Sequence, residues 1–140
     1  MGTENLKVLR QVVEEGFGNA DLQIIDGLIH DNYTEHQFGM RGGKEGLKKT
    51  ILGLTNAFSN LQYELINYSV NESIVWTHYK CCGEHTGTFM EQEPTGKRFI
   101  IDVIDVVRIE NGKIAEHWGI PDRFALLTQL EFLQPIMTKK

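Results

Sequence analysis

The sequence predicts an α+β domain in which helices come first and an antiparallel sheet follows. Apolar residues recur every three or four positions up to about residue 58 and at every second position from about residue 61. The Asn111-Gly112 pair adds a strong hairpin signal between two alternating segments. Because strands this long twist and curl, we expect a cone-shaped barrel, with a curled, mainly antiparallel sheet closed by the N-terminal helices.

Three helices are predicted in the first part of the chain. The first has apolar residues at helical spacing from Leu6 to Phe17, and a short second helix runs from Leu22 to Ile29. The segment "HDNYTEHQFGMRGG" is a polar connector that leads to a third helix, with its apolar residues from Leu47 to Phe58. These helices are the expected cover of the sheet.

Four strands and a last helix are predicted in the second part. The segments "LQYELINYSV" and "SIVWTHYKCCGEHTGTF" alternate around an Asn71-Glu72 turn, and "KRFIIDVIDVVRI" and "KIAEHWGI" alternate around Asn111-Gly112. The last helix begins near Pro121. The sequence has no internal repeat and no low-complexity linker, so we expect a single domain over residues 1–140.

Composition narrows the class of protein. The formal net charge is −5, and the lysines and arginines are scattered, which argues against a nucleic-acid-binding surface. No apolar run approaches the roughly 20 residues of a membrane-spanning helix. Cys81 and Cys82 are adjacent in a strand and point to opposite faces, so a disulfide between them is implausible. We therefore predict a cytoplasmic protein whose partners include neither nucleic acid nor a membrane.

Asp105 is the residue that points to a site. On its predicted strand it shares a face with the aliphatic residues Val103 and Val107. Burying an unpaired carboxylate on such a face costs several kcal/mol, so Asp105 must be paired, hydrated in a cavity or neutralised by a proton. Each outcome is compatible with acid/base chemistry, and a structural salt bridge is the alternative.

The register of the last hairpin decides whether His117 can reach Asp105. If Asn111 and Gly112 form the turn and the pairing is regular, Asp105 lies opposite Trp118 and His117 points to the other face. A one-residue bulge near the turn would instead place Asp105 and His117 on the same face. The sequence leaves both registers open.

Other side chains are candidates for the hollow of the cone. Tyr79 and His85 share a face of the long second strand, and Tyr33 and His36 lie in the connector before the third helix. A strand histidine is more often structural than catalytic. The five histidines lack the short spacing of a zinc site, and no serine lies in a G-x-S-x-G motif, so we predict neither a metal nor a nucleophilic serine.

Two segments resemble a known family. "GTFMEQEPTGKRFIIDVIDVVRIENGKIAEHWGIPDRFALLTQL" and "DNYTEHQFGMRGGKEGLKKTI" are similar to the SnoaL-like polyketide cyclases, in particular their ester cyclase branch, within the nuclear transport factor 2-like superfamily. The resemblance implies one SnoaL-like domain with a deep apolar pocket and no metal or organic cofactor. It also implies an aldol condensation that begins with removal of a proton α to a carbonyl.

The family's site residues match this chain only in part. The resemblance places a histidine of the characterised cyclases at Asp105 and their main catalytic aspartate at Gly119, which cannot transfer a proton. We therefore predict an enzyme that acts on a small apolar carbonyl compound, with Asp105 as the base. The expected catalytic partners are His117 and His85, and the expected substrate-binding residues are Tyr33, His36, Tyr79 and Trp118.

Two further expectations concern binding. The alternative to an enzyme is a non-catalytic module of the same fold that binds a small ligand or a partner. A homodimer is also expected, because members of the family often pair through their sheets. The predicted contact surface is the outward face of the long second strand, with Trp76, His78 and Lys80.

Overall fold

The structure is a computed structural model that describes residues 2–133. Within that range the chain forms four α-helices and five strands. The helices are α1 (Gly2–Gln11), α2 (Leu22–Leu28), α3 (Gly43–Ala57) and α4 (Arg123–Gln129), and a π-helical segment (Val12–Phe17) continues α1. The strands are β1 (Ile29–Glu35), β2 (Phe58–Asn71), β3 (Ile74–His85), β4 (Arg98–Glu110) and β5 (Lys113–Pro121).

The five strands form one sheet in the order β1-β5-β4-β3-β2. Neighbouring strands are antiparallel except for β1 and β5, which are parallel. The predicted α+β fold with a curled, mainly antiparallel sheet is therefore confirmed. The parallel pair brings the first strand of the chain next to the last one.

The secondary structure of the segment before α3 differs from the prediction. The sequence predicts a helix that includes Ile29 and a polar connector after it, but Ile29–Glu35 forms the edge strand β1. In this strand the residues that are buried are Ile29 and Tyr33, so its apolar alternation is weak. The strand depends on hydrogen bonds to β5, which comes much later in the chain.

The bulged register of the last hairpin is the one that the chain adopts. Ile109 pairs with Ile114, whereas Arg108 pairs with Glu116, so Ala115 is the extra residue. Beyond the bulge, His117 lies opposite Val107 on the inner face. Trp118 therefore lies opposite Val106 on the outer face, not opposite Asp105.

Two groups of buried side chains hold the helices on the inner face of the sheet. The larger group lies under α1, α2 and α3 and includes Leu9, Ile25, Ile51, Val107 and Ile114. The smaller group lies under α4 and includes Phe58, Phe99, Ile101, Leu126 and Leu130. No helix within residues 2–133 is long and apolar enough to cross a membrane.

Candidate active site

A cavity of about 550 Å³ lies between the helices and the inner face of the sheet. Its wall is mostly apolar, and both buried groups contribute to it, for example through Leu9, Phe58 and Ile114. This volume suits a small organic ligand. The ionisable side chains that reach the wall include Glu35, Asp105, His117 and Arg123.

Asp105, His117 and Glu35 form a hydrogen-bonded row in this wall. The Nε2 atom of His117 lies 2.7 Å from Oδ1 of Asp105, and its Nδ1 atom lies 2.6 Å from Oε2 of Glu35. The Glu35 side chain is 1% exposed, and that of Asp105 is 10% exposed. The imidazole ring therefore bridges two carboxylates that are largely shielded from water.

The row carries a positive charge at its centre. Burial alone would lower the pKa of His117, but the hydrogen bonds to Asp105 and Glu35 raise that pKa to about 9. Burial alone would raise the pKa of Glu35, yet its bonds to His117 and Tyr33 hold that pKa below the ordinary value. At neutral pH the ring is an imidazolium, and both of its nitrogens donate.

Three strands set the geometry of the row. Alternation along β4 turns Asp105 inward, and the bulge at Ala115 in β5 turns His117 to the same face. The parallel pairing of β1 with β5 then sets Glu35 beside His117. Asp105 was predicted to face the hollow, and that placement is confirmed.

Tyr33 supports Glu35 from the same strand. Its hydroxyl group donates to Oε1 of Glu35, while the backbone N–H of Gln37 donates to Oε2 at 2.9 Å. Burial, and then the Glu35 carboxylate, raises the pKa of the Tyr33 hydroxyl above its ordinary value. Tyr33 therefore stays a neutral donor, and it lines the cavity as expected.

Two of the predicted site residues lie in the core instead. His85 is fully buried among aromatic rings, where its Nδ1 atom lies 3.0 Å from the hydroxyl oxygen of Thr95. Tyr79 is also fully buried, and its hydroxyl group donates to Glu14 at 2.7 Å. Neither side chain reaches the cavity wall.

His36 and Trp118 lie on the outer side of the sheet edge. Their rings stack with centroids 4.7 Å apart, and Nε2 of His36 lies 2.7 Å from a carboxylate oxygen of Glu116. The structure thus brings together Asp105, His117 and Tyr33 at the cavity and leaves His36, Tyr79, His85 and Trp118 away from it.

Sequence reasoning missed Glu35, Gln37 and Arg123. Gln37 lines the cavity next to the Asp105–His117 pair, and the Arg123 guanidinium lies against Gly39 at the same cavity. The signal for Glu35 was its alternation with Ile29 and Tyr33, which indicates one face of a strand. Gln37 lies in a loop and Arg123 is the first residue of α4, so the alternation of the strands could not point to either of them.

An apolar cavity with a few ionisable groups at its wall is the usual form of a small-molecule site, and a buried carboxylate–imidazole pair is a group suited to proton transfer. The family model described as SnoaL-like polyketide cyclase matches residues 7–130. The chain belongs to this family.

Curated relatives of this chain are named as cyclases. The aklanonic acid methyl ester cyclase of Streptomyces peucetius is 29% identical over 131 residues, which is 89% of this chain and 89% of the relative. The nogalonic acid methyl ester cyclase of Streptomyces nogalater is 25% identical over 119 residues, which is 81% of this chain and 88% of the relative. Family and relatives together support a cyclase function.

Solved structures confirm the fold. TsrD from Streptomyces laurentii superposes with a TM-score of 0.83 at 23% identity, over 92% of this chain and 96% of that one. An epoxide hydrolase from M. tuberculosis has a TM-score of 0.71 at 13% identity, over 94% of this chain and 92% of that one. Because the second structure bears another activity, the fold alone does not define the reaction.

Proposed function

We propose that this protein is a cofactor-independent cyclase that acts on a small, largely apolar carbonyl compound, with Asp105 as the general base. The observation that supports it best is the position of Asp105, a carboxylate at an apolar cavity, hydrogen-bonded to an imidazolium. Family membership supports the same reaction class.

The chemistry is the carbon–carbon bond-forming addition step of an intramolecular aldol reaction, in which no atom leaves the substrate. One oxygen of Asp105 accepts from His117, which leaves the other oxygen to take a proton from the carbon α to a substrate carbonyl. The resulting enolate carbon forms a bond to the carbon of a second carbonyl group in the same molecule. The alkoxide formed there takes the proton back from Asp105, so the enzyme returns to its starting state.

His117 and Glu35 prepare this base. The imidazolium fixes the orientation of Asp105 and places a positive charge near the developing enolate, where the apolar wall strengthens the attraction. Glu35 holds the ring from its other side. His117 therefore acts as a positioning and charge-stabilising group, and the proton transfer itself belongs to Asp105.

The test measures exchange of the α-protons of 2-tetralone, a bicyclic apolar ketone, in D₂O by NMR. We expect the wild-type protein to accelerate exchange and Asp105→Asn to slow the protein-catalysed rate by about 10²-fold or more, the usual contribution of a general base. The matched control is Asp102→Asn, because Asp102 lies on the outer face of the same strand and pairs with His78 and Lys80. Equal rates in the two variants would remove Asp105 as the base.

Gly119 favours a second candidate function. The position of the family's catalytic aspartate has no side chain here, which is compatible with a non-catalytic module that binds an apolar ligand. This function predicts that 2-tetralone binds to the protein without any acceleration of its exchange.

We also propose a homodimer that forms through the outer face of the sheet. On this face Trp76 is half-exposed, and the exposed residues Ile104 and Ile120 lie side by side on β4 and β5. His78 and Lys80, which were predicted in the contact, both pair with Asp102. Such an apolar face is typical of a protein contact.

The cytoplasmic location of the protein stays a prediction.

A further inference from the structure

We propose that the carboxamide of Gln37 is the hydrogen-bond donor for the substrate's reacting carbonyl oxygen, and that it occupies the space a side chain at position 119 would fill. This inference rests on the proposed function, because it assigns a second role in the same site. It also names the group recognised: a carbonyl oxygen that becomes an enolate oxygen.

The space around Gly119 carries the inference. A Cβ atom at Gly119 would lie 2.0 Å from Oε1 of Gln37 and 2.8 Å from Cε1 of His117. The amide of Gln37 therefore lies directly over Gly119 and beside the imidazolium ring. Gly119 is buried beneath it, whereas Gln37 lines the cavity.

The space above Gly119 is next to Asp105, the proposed base. Gly119 is the β5 residue paired with Asp105 on β4. Cross-strand partners have Cα atoms roughly 4.5–5.5 Å apart, so a group above Gly119 borders the same volume as the Asp105 carboxylate. The Gln37 atom over Gly119 is Oε1, and a half-turn about the Cγ–Cδ bond exchanges it for the Nε2–H donor. A substrate whose α-carbon touches Asp105 would then present its carbonyl oxygen to that N–H.

The backbone at Gln37 is held in place. Its N–H donates to the same Glu35 oxygen, Oε2, that His117 contacts, and the N–H of His36 donates to the His117 carbonyl at 2.9 Å. The Gln37 carbonyl accepts from the N–H of Met40 at 3.2 Å. The backbone that carries the donor is thus fixed relative to the Asp105–His117–Glu35 row, and only the side-chain torsions of Gln37 remain to be set when a ligand binds.

The carboxamide itself is available to a ligand. Its nitrogen and oxygen have no hydrogen-bond partner among residues 2–133, although the side chain reaches the wall of the cavity. An amide N–H can donate to a carbonyl oxygen but cannot take a proton at neutral pH. Asp105 therefore moves the proton, and Gln37 stabilises the charge that this transfer creates.

The first experiment compares two probes of the same shape, 2-naphthol and naphthalene, by fluorescence titration. The naphthol oxygen stands for the enolate oxygen, and naphthalene lacks it. We expect Gln37→Leu to weaken 2-naphthol binding about two- to tenfold, the usual worth of one hydrogen bond, and to leave naphthalene binding unchanged. Unchanged 2-naphthol binding, or an equal loss for both probes, would overturn the proposal. Gln23→Leu, at an exposed glutamine of α2, is the control.

A double-mutant cycle tests the shared space. The methyl group of Gly119→Ala would displace the Gln37 amide, which is the nearer contact and the end of a flexible side chain, and it would also press on Cε1 of His117. We expect Gly119→Ala to reproduce the loss of 2-naphthol affinity, and the double variant with Gln37→Leu to lose little more. Strictly additive losses would show that the two positions do not share a space.

The exchange of 2-tetralone separates this inference from the proposed function. We expect Gln37→Leu to slow wild-type exchange about 10²–10³-fold, the usual cost of removing one oxyanion donor, without moving its pH profile. If Asp105→Asn slows the exchange of 2-tetralone and Gln37→Leu does not, the role of Gln37 is overturned and the proposed cyclase function stands. The opposite outcome is also informative. If the wild-type protein binds 2-naphthol more tightly than naphthalene through Gln37 but does not accelerate the exchange of 2-tetralone, the oxygen-binding site stands and the proposed cyclase function is overturned.

Discussion

At the scale of single residues, the charge on His117 links stability to chemistry. The ring lies between Asp105 and Glu35, and each carboxylate favours its protonated form. Removing either partner would leave a charged group that is poorly hydrated. The same contacts that stabilise the fold therefore orient the proposed base.

This arrangement predicts a stability that falls at alkaline pH. Because the pKa of His117 is about 9 in the folded protein and near 6.5 ordinarily, the stabilisation is complete below about pH 6.5 and is lost as the pH rises through 9. The full loss is on the order of 3 kcal/mol. Urea unfolding at pH 6.5 and pH 10 measures it. Glu35→Gln should show a smaller fall than Glu64→Gln, which changes an exposed glutamate of β2.

NMR supplies the decisive check on that prediction. The Cε1 proton of His117 should titrate with a midpoint close to 9, and Glu35→Gln should move the midpoint downward because one carboxylate is lost. A wild-type midpoint near 6.5 would contradict the row as described.

Residues differ in how far the sequence could predict them. Asp105 was found because a carboxylate interrupts an aliphatic face, and such an interruption is visible in a strand of known period. Glu35 was missed because its strand has little apolar signal of its own. Gln37 is defined by its contact with Gly119, a tertiary contact with no local signature.

Among the elements, α3 contains Gly46 and Gly53, two glycines with opposite surroundings. A Cβ atom at Gly46 would lie 2.8 Å from the backbone oxygen of Arg41, whereas a Cβ atom at Gly53 would have no atom within 4 Å. The first glycine permits a close approach between the helix and the chain before it. The second glycine lies at the cavity wall without a close contact at its Cα, and it weakens the helix.

These surroundings predict effects of opposite sign within one helix. Gly53→Ala should stabilise the protein by about 0.5–1 kcal/mol, the usual gain in helix propensity. Gly46→Ala should destabilise it by about 1–3 kcal/mol, because the crowded atoms include backbone. Thermal unfolding of the two variants measures both effects. A change of the same sign in both would contradict the packing of α3.

In the hairpin of β4 and β5, the sequence predicts the turn but not the register of the two strands. The turn at Asn111-Gly112 was predicted, because few residues adopt its backbone conformation readily. The bulge was one of two alternatives, because Ile114 and Ala115 are both apolar and either could face the core. Their burial together follows from the bulge, and only the whole sheet selects it.

At the scale of the whole molecule, the two faces of the sheet have different roles. The inner face carries the cavity, and the outer face carries large apolar residues that are exposed to solvent. The fold class followed from the change of period along the chain and from the family resemblance. The position of β1 did not, because it depends on a partner at the far end of the chain.

The outer face predicts the oligomeric state. We expect sedimentation of the wild-type protein to give twice the chain mass of 16.0 kDa. Ile104→Glu, which places a charge at the centre of the proposed contact, should give the single-chain mass. Leu52→Glu changes an exposed apolar residue of α3 on the helical side and should leave the dimer intact. A wild-type monomer at micromolar concentration would refute the dimer.

The parallel pairing of β1 and β5 also governs the order in which the molecule can be completed. Glu35 precedes His117 by 82 residues, so it leaves the ribosome well before its counter-charge has been synthesised. An isolated carboxylate resists dehydration, and we expect β1 to stay hydrated in the nascent chain until β5 arrives. The last strand then pairs with β1 and assembles the Asp105–His117–Glu35 row in a single docking event.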